Sequence, residues 1–161
     1  SGRRLHEAGA AWLRLANDEI ERVAIIVMNH MRPNLLTQQG GVTPKAAYRF
    51  FKSTGEAGVD VCLLSLADYL GKGGVDVNQE DWLARLNPVV TLLEANFMQR
   101  EQVIKPPTLI TGEDVMRELN LQPSQRVGQI LELVREAQVA GEVKTREEAL
   151  KLITEYETRN T

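Results

Sequence analysis

Three polar residues have side chains that could do chemistry in their local sequence: His6, His30 and Asp68. Asp68 lies in the apolar run 63–70, LLSLADYL, where we expect its carboxylate to be enclosed. Enclosing a carboxylate is costly unless a metal, an arginine or a helix N-terminus pairs with it. Histidine and aspartate are common metal ligands, so these residues form a candidate metal set. The alternative is a surface histidine at His6 and a helix-dipole role for His30.

A second candidate is a basic stripe formed by Lys45, Arg49 and Lys52. Their spacing of i, i+4 and i+7 places the three cations on one face of a predicted helix. Such a face could hold an RNA backbone phosphate through charge, without reading sequence. The alternative is a solvated helix face, which is the usual place for lysine and arginine.

The common catalytic signatures are absent from the sequence. It contains no Gly-x-Ser-x-Gly elbow, Walker loop, His-Glu-x-x-His or paired Cys-x-x-Cys. Its 161 residues include 19 Lys and Arg against 22 Asp and Glu, a formal net charge of -3. The overall charge therefore does not indicate a nucleic-acid partner, and any RNA affinity must come from a local patch.

The single cysteine, Cys62, lies in an apolar run and is predicted to be a core residue. One cysteine cannot form an intramolecular disulfide, which favours a reducing compartment such as the cytoplasm. No apolar stretch reaches the ~18 residues that a membrane-spanning helix needs, so we expect no membrane partner.

Apolar residues recur at helical intervals nearly throughout, which predicts an all-α, multi-helix bundle. The first helix should follow Asn17, with a capping box at Asp18 and Glu21, and end before Pro33. The next should begin at Thr43-Pro44 and run through residue 51. Residues 59–70 are apolar on almost every side and predict a helix at the centre of the core.

A longer helix is predicted from near Gln79 to Pro106-Pro107, with a kink at Pro88. The proline pair divides the chain into a region at 3–105 and a helical module at 106–161. Gly141 should close the middle of three short helices in that module. Their predicted starts are Thr111 with Asp114, Ser124, and Thr145 with Glu148.

Two blocks of sequence resemble known families. The first resembles the later part of an HD domain and comprises His6-Glu7-Ala8-Gly9-Ala10, Asn17 to His30 with Met31-Arg32-Pro33, Ala46-Ala47-Tyr48-Arg49 and Leu66-Ala67-Asp68. The second resembles the C-terminal region of the tRNA nucleotidyltransferase and poly(A) polymerase family. It comprises Pro107-Thr108-Leu109-Ile110-Thr111-Gly112-Glu113-Asp114-Val115, Asn120-Leu121-Gln122-Pro123, Val127-Gly128 and residues 141–149, GEVKTREEA.

The second resemblance implies helical body and tail elements that follow a catalytic head, with magnesium held by the head's paired aspartates. No Gly-Ser followed by Asp-x-Asp occurs here, so the head should be missing and the fragment inactive. The implied role is to bind and position the 3′ end of RNA such as tRNA for a parent that is CCA-adding or a polynucleotide adenylyltransferase. Ser124-Gln125-Arg126 departs from the family's glycine-proline turn, and Arg126 adds a candidate phosphate contact.

The HD resemblance implies metal ligands at His6 and His30, as intermediate histidines, and at Asp68, as the final aspartate. The His-Asp pair that names the domain is missing from the sequence, so the site is expected to be incomplete. An alternative function is therefore the remnant of an HD-type metal-dependent phosphohydrolase. A third interpretation is a helical scaffold whose polar residues only satisfy its core.

Overall fold

The computed structural model describes residues 16–38, 40–73 and 77–160. These residues form helices joined by turns and contain no strand, which confirms the all-α prediction. No helix in these ranges is both long enough and apolar enough to span a bilayer. The helices are α1 (Asn17–Asn29), α2 (Arg32–Gln38), α3 (Pro44–Thr54), α4 (Gly58–Gly73), α5 (Gln79–Phe97), α6 (Gly112–Leu119), α7 (Gln125–Val139) and α8 (Arg146–Asn160).

Three threonines start helices as their spacing predicts. The Oγ1 atom of Thr43 accepts a hydrogen bond from the Ala46 amide at 3.1 Å. Thr111 and Thr145 each accept an amide three residues later at 3.2 Å. These bonds satisfy amides in the first turn that have no partner within the helix. Ser124 also precedes a helix, α7, but its side chain makes no capping bond.

One predicted cap and one predicted helix end are wrong. At the start of α1, the Ala16 amide donates to Glu19 Oε2 at 2.8 Å, so the capping carboxylate belongs to Glu19 and not to the predicted box. At the other site, α5 ends at Phe97 instead of continuing to the proline pair, and a separate π-helical turn follows at Arg100–Ile104. Val103 is buried in this turn. The apolar spacing therefore continues from α5 into the π-helical turn and does not show where α5 ends.

The predicted central position of α4 is correct for only one side of that helix. Val61, Cys62 and Ser65 are buried, whereas Leu63 is 55% exposed and Leu70 is 45% exposed. Burial raises the pKa of the Cys62 thiol to about 12, which keeps it protonated and unreactive. Cys62 is therefore the core cysteine that the sequence predicts.

The helices group into two units. Unit 1 contains the described part of Ser1–Val42 together with Arg49–Glu94, and unit 2 contains Thr43–Tyr48 and the described part of Ala95–Thr161. The division predicted at residue 105 from the proline pair stays a prediction. In unit 1, α4 packs against α1 and α2.

In unit 2, α6 packs against both α7 and α8, and these two helices also contact each other. Gly141 adopts a φ of +79° in the turn that closes α7, a conformation that glycine adopts without strain. Helical spacing predicts core faces formed by Val127, Ile130, Leu131 and Val134 on α7 and by Ala149, Leu152, Ile153 and Tyr156 on α8. These residues are buried or partly buried except Tyr156, which is 41% exposed. The buried cluster comprises Ile110, Val115, Val127, Ile130, Val134, Ala137, Val143, Ala149 and Ile153.

Replacing Ile153 with alanine should lower the free energy of unfolding by about 2 to 5 kcal/mol, because it leaves a cavity in a fully buried position. Urea unfolding followed by circular dichroism measures this change. Lys151→Ala, on the same helix and largely exposed, is the control and should have little effect. Equal effects of the two variants would contradict the position of Ile153 in the core.

Candidate nucleic-acid interface

The basic stripe predicted for RNA lies on α3, but its charges have partners. Lys45 belongs to unit 2, where its Nζ atom lies 3.0 Å from Glu136 Oε2. Arg49 and Lys52 belong to unit 1 and are exposed, and both take part in noncovalent interactions. An RNA phosphate would therefore share these cations with groups of the protein.

Arg126 is in the first turn of α7, and it too has an acidic partner. Its Nη2 atom lies 2.8 Å from Glu157 Oε1 in the last helix of the same unit. The arginine side chain is about half exposed, so part of the guanidinium still faces solvent. Arg126 links α7 to α8 in addition to being a predicted phosphate contact.

Asp68 is not enclosed as the apolar run predicts. Its side chain is 31% exposed, and Lys72 Nζ donates to its Oδ2 atom at 2.7 Å. The hydrogen bond from Lys72 lowers the pKa of Asp68, and the charge of His30 lowers it further. The predicted metal or arginine partner is therefore replaced by a lysine one helical turn later.

His30 and Asp68 lie within electrostatic range of each other, as their shared assignment requires. The Nδ1 atom of His30 lies 2.6 Å from the Val27 carbonyl oxygen, so only Nε2 remains for a ligand. Lys72 opposes a cation at Asp68 because its ammonium already balances the carboxylate. His6 lies outside the described residues, so the three-residue metal set stays a prediction.

In the described part of the chain, no three His, Cys, Asp or Glu side chains are grouped to hold a metal ion. His30 and Asp68 alone supply fewer ligands than a metal site in a protein requires. The described residues therefore do not fit a resident metal, and no reaction step follows from one.

Asp114 is the centre of a polar cluster in unit 2, and its spacing from Thr111 predicts only a capping role. The residue is 6% exposed. Its Oδ2 atom accepts hydrogen bonds from the Thr111 amide and hydroxyl, both at 2.9 Å. Arg146 donates to both oxygens, at 2.6 and 2.9 Å, and Arg117 donates to Oδ1 at 2.7 Å.

These donors hold the pKa of Asp114 well below its usual range, with the Arg146 bonds as the largest cause and the Thr111 bonds next. The same pairing raises the pKa of Arg146. The cluster joins the first turn of α6 to the first turn of α8. The spacing of Thr111 and Asp114 predicts the cap, but nothing in the sequence indicates a partner 32 residues away.

Asp114→Asn should reduce stability at neutral pH and reduce it less as the pH falls. The folded pKa lies below the value of about 3.9 for an unperturbed aspartate, so folding favours the ionised form. That contribution is complete above the unfolded pKa and is lost as the pH falls toward the folded pKa. Urea midpoints of both proteins at pH 7, 4.5 and 3 measure the difference.

Asparagine keeps the shape of the side chain but replaces one acceptor oxygen with an NH2 donor, so the pH dependence of the stability difference, and not its size at one pH, reports the charge. Glu142→Gln is the control, because it neutralises an exposed carboxylate in the same unit. A difference between Asp114→Asn and the unchanged protein that is the same at all three pH values would contradict the electrostatic role.

Sequence comparisons show that this chain is similar to a region of several longer proteins. A family model described as tRNA nucleotidyltransferase domain 2 matches residues 93–153. The chain is 34% identical over 152 residues to the CC-adding tRNA nucleotidyltransferase of Thermus thermophilus, which covers 92% of this chain and 30% of that protein. It is 31% identical over 140 residues to the A-adding tRNA nucleotidyltransferase of Deinococcus radiodurans, with coverages of 85% and 30%.

A third relative, the CC-adding tRNA nucleotidyltransferase of Geobacter sulfurreducens, is 33% identical over 107 residues, with coverages of 66% and 21%. No solved structure matches the chain significantly. The chain thus spans less than a third of the length of these curated relatives. The similarity to the Thermus and Deinococcus proteins extends over most of the length of this chain, and the chain therefore belongs to the tRNA nucleotidyltransferase family.

Proposed function

We propose that this chain is the region of a tRNA nucleotidyltransferase that binds and positions the 3′ end of tRNA. Nucleotide addition would be carried out by a catalytic head elsewhere in the protein. The observation that carries the proposal is the similarity to CC-adding and A-adding tRNA nucleotidyltransferases over 92% and 85% of this chain. The match accounts for only 30% of each relative, which leaves room in them for a separate catalytic part.

The chemistry of nucleotidyl transfer supports this division of labour. The reaction uses clustered carboxylates that hold magnesium ions against the phosphates and the attacking hydroxyl. The sequence lacks an Asp-x-Asp pair after Gly-Ser. We therefore assign magnesium to the head and a non-catalytic role to this chain. The proposal covers CC and A addition alike, because relatives of both kinds match.

RNA binding by this chain must be local, because its net charge of -3 repels a polyanion. Lys45, Arg49, Lys52 and Arg126 remain the predicted contacts. The ion pairs of Lys45 and Arg126 with glutamates would weaken as phosphates approach. A cytoplasmic location is part of the proposal and agrees with the free, buried thiol of Cys62.

The alternative of an HD-type phosphohydrolase remnant is carried by the resemblance of the first block of sequence, in which His30 and Asp68 are two of the implied metal ligands. This function predicts that the chain binds Mn²⁺ and that His30→Ala abolishes the binding. Isothermal titration calorimetry measures both. Mn²⁺ binding that is unchanged in His30→Ala, or no binding at all, would exclude this candidate.

The first proposal predicts that the chain binds a hairpin RNA with a single-stranded 3′ end and that its affinity falls as salt rises. Replacing Lys45 and Arg49 with glutamine should weaken binding and flatten the salt dependence. The slope of log K against log salt changes by about 0.7 to 0.9 for each phosphate contact, so roughly 1.5 for two contacts. Fluorescence anisotropy at several potassium chloride concentrations measures both quantities.

The matched control neutralises two other exposed lysines, Lys72 and Lys151, which removes the same charge. Its affinity should fall less and its slope should stay close to that of the unchanged protein. No RNA binding at low salt would overturn the proposed function. Equal effects of the two double variants would remove Lys45 and Arg49 from the binding surface while leaving the function standing.

A further inference from the structure

Two large apolar side chains lie exposed at the end of α5. Phe97 is 68% exposed and Met98 is 80% exposed. Both belong to unit 2 and to the segment that the family model matches. The chain then turns back into the π-helical turn Arg100–Ile104, whose Val103 is buried. The aromatic ring therefore projects from a backbone that is held in place by packing one turn later.

Arg100 follows Phe97 by three residues and has no acidic partner among the described residues. A hydrogen bond to a buried side chain fixes its position. Arg100 Nη1 donates to the Oδ1 atom of Asn96 at 2.8 Å, and Asn96 is itself buried. An amide fixes the guanidinium but does not neutralise it. Within the described residues Arg100 forms no ion pair, whereas Lys45 and Arg126 each have a carboxylate.

The segment after the π-helical turn is fastened to α7. Gln138 Nε2 donates to the Pro107 carbonyl oxygen at 2.9 Å. Arg135 precedes Gln138 by three residues and so lies on the same face of α7. Lys105 and Arg135 are both exposed, and neither forms an ion pair among the residues that the structure describes.

An open hollow of about 410 Å³ lies beside this segment, lined by Glu101, Gln102, Lys105 and Pro107. Glu101 is its acidic lining residue. The segment and the adjoining face of α7 carry three cations, Arg100, Lys105 and Arg135. In the segment, Arg100 and Lys105 outnumber Glu101. On α7, Arg135 is flanked by Glu132, which accepts a hydrogen bond from Tyr48, and by Glu136, which is paired with Lys45.

We propose that Phe97 and its neighbours form a binding surface for single-stranded RNA, in which one base stacks on Phe97 and Arg100, Lys105 and Arg135 contact the phosphates. The inference rests on the proposed function and adds residues that are not part of the predicted basic stripe. Aromatic side chains interleaved with cations are the usual means of binding single-stranded RNA without reading its sequence.

The test uses the same hairpin RNA with a single-stranded 3′ end and compares Phe97→Ala with Phe97→Trp. Loss of one stacked base should weaken binding about 5- to 150-fold, and tryptophan should preserve it. Stacking releases no counterions, so Phe97→Ala should leave the salt slope unchanged. Arg100→Gln should instead reduce that slope by about 0.7.

Met98 and Met28 provide a matched control, because they are 80% and 81% exposed and lie in different units. Met98→Ala should weaken binding and Met28→Ala should not. A hairpin without the single-stranded end should be insensitive to Phe97→Ala. Circular dichroism should show the same thermal melting for the Phe97, Met98 and Met28 variants, since these side chains are exposed.

Several results would overturn the inference, and they can be told apart. If the unchanged protein does not bind RNA, the proposed function and this surface both fail. If it binds RNA and Phe97→Ala binds equally well, only the surface fails. Equal loss in Phe97→Ala and Phe97→Trp would show a structural effect and not stacking. Unchanged RNA affinity with loss of a dimer in analytical ultracentrifugation would assign Phe97 to contact with a second copy.

Discussion

The carboxylate of Asp114 is the polar group on which the packing of unit 2 depends. A buried ionised carboxylate is stable only when its oxygens are hydrogen-bonded and its charge is balanced. Asp114 accepts a hydrogen bond from Thr111 at the start of α6 and two hydrogen bonds from Arg146 in the first turn of α8. Because α6 also packs on α7, the position of this one side chain fixes the starts of two helices around the common core. Removing Asp114 itself would leave Arg146 and Arg117 without the carboxylate that they share, so the cluster depends on this one residue.

Ion pairs within the protein determine which cations are available to RNA phosphates. Arg146, Lys45 and Arg126 all balance carboxylates of their own unit. A phosphate that approaches them competes with a carboxylate that is already in place. Arg100 differs because its partner is the neutral amide of Asn96, which orients the guanidinium and leaves its charge unbalanced. In a chain with a net charge of -3, the partner of each cation therefore indicates where RNA could bind better than the number of cations does.

Features set by neighbouring residues could be predicted from the sequence, and features set by distant residues could not. The threonine caps at 43, 111 and 145 depend on bonds to residues three positions away, and helical spacing gives the core faces of α7 and α8. The pairing of Asp68 with Lys72 is also local, because their i, i+4 spacing places both side chains on one face of the helix. In contrast, the contact between Asp114 and Arg146 and the end of α5 before an apolar turn depend on tertiary packing. No local pattern encodes them.

Asp68 shows how a local partner changes the meaning of a family motif. In the resemblance to HD domains, this aspartate is a metal ligand, and a metal would balance its charge. Here the ammonium of Lys72 supplies that balance at 2.7 Å, and the charge of His30 adds to it. A divalent cation at Asp68 would have to displace Lys72 and overcome repulsion from any charge on His30. The local electrostatics therefore oppose metal binding at Asp68. By the same reasoning, RNA binding is favoured where cations lack such a partner, as at Arg100.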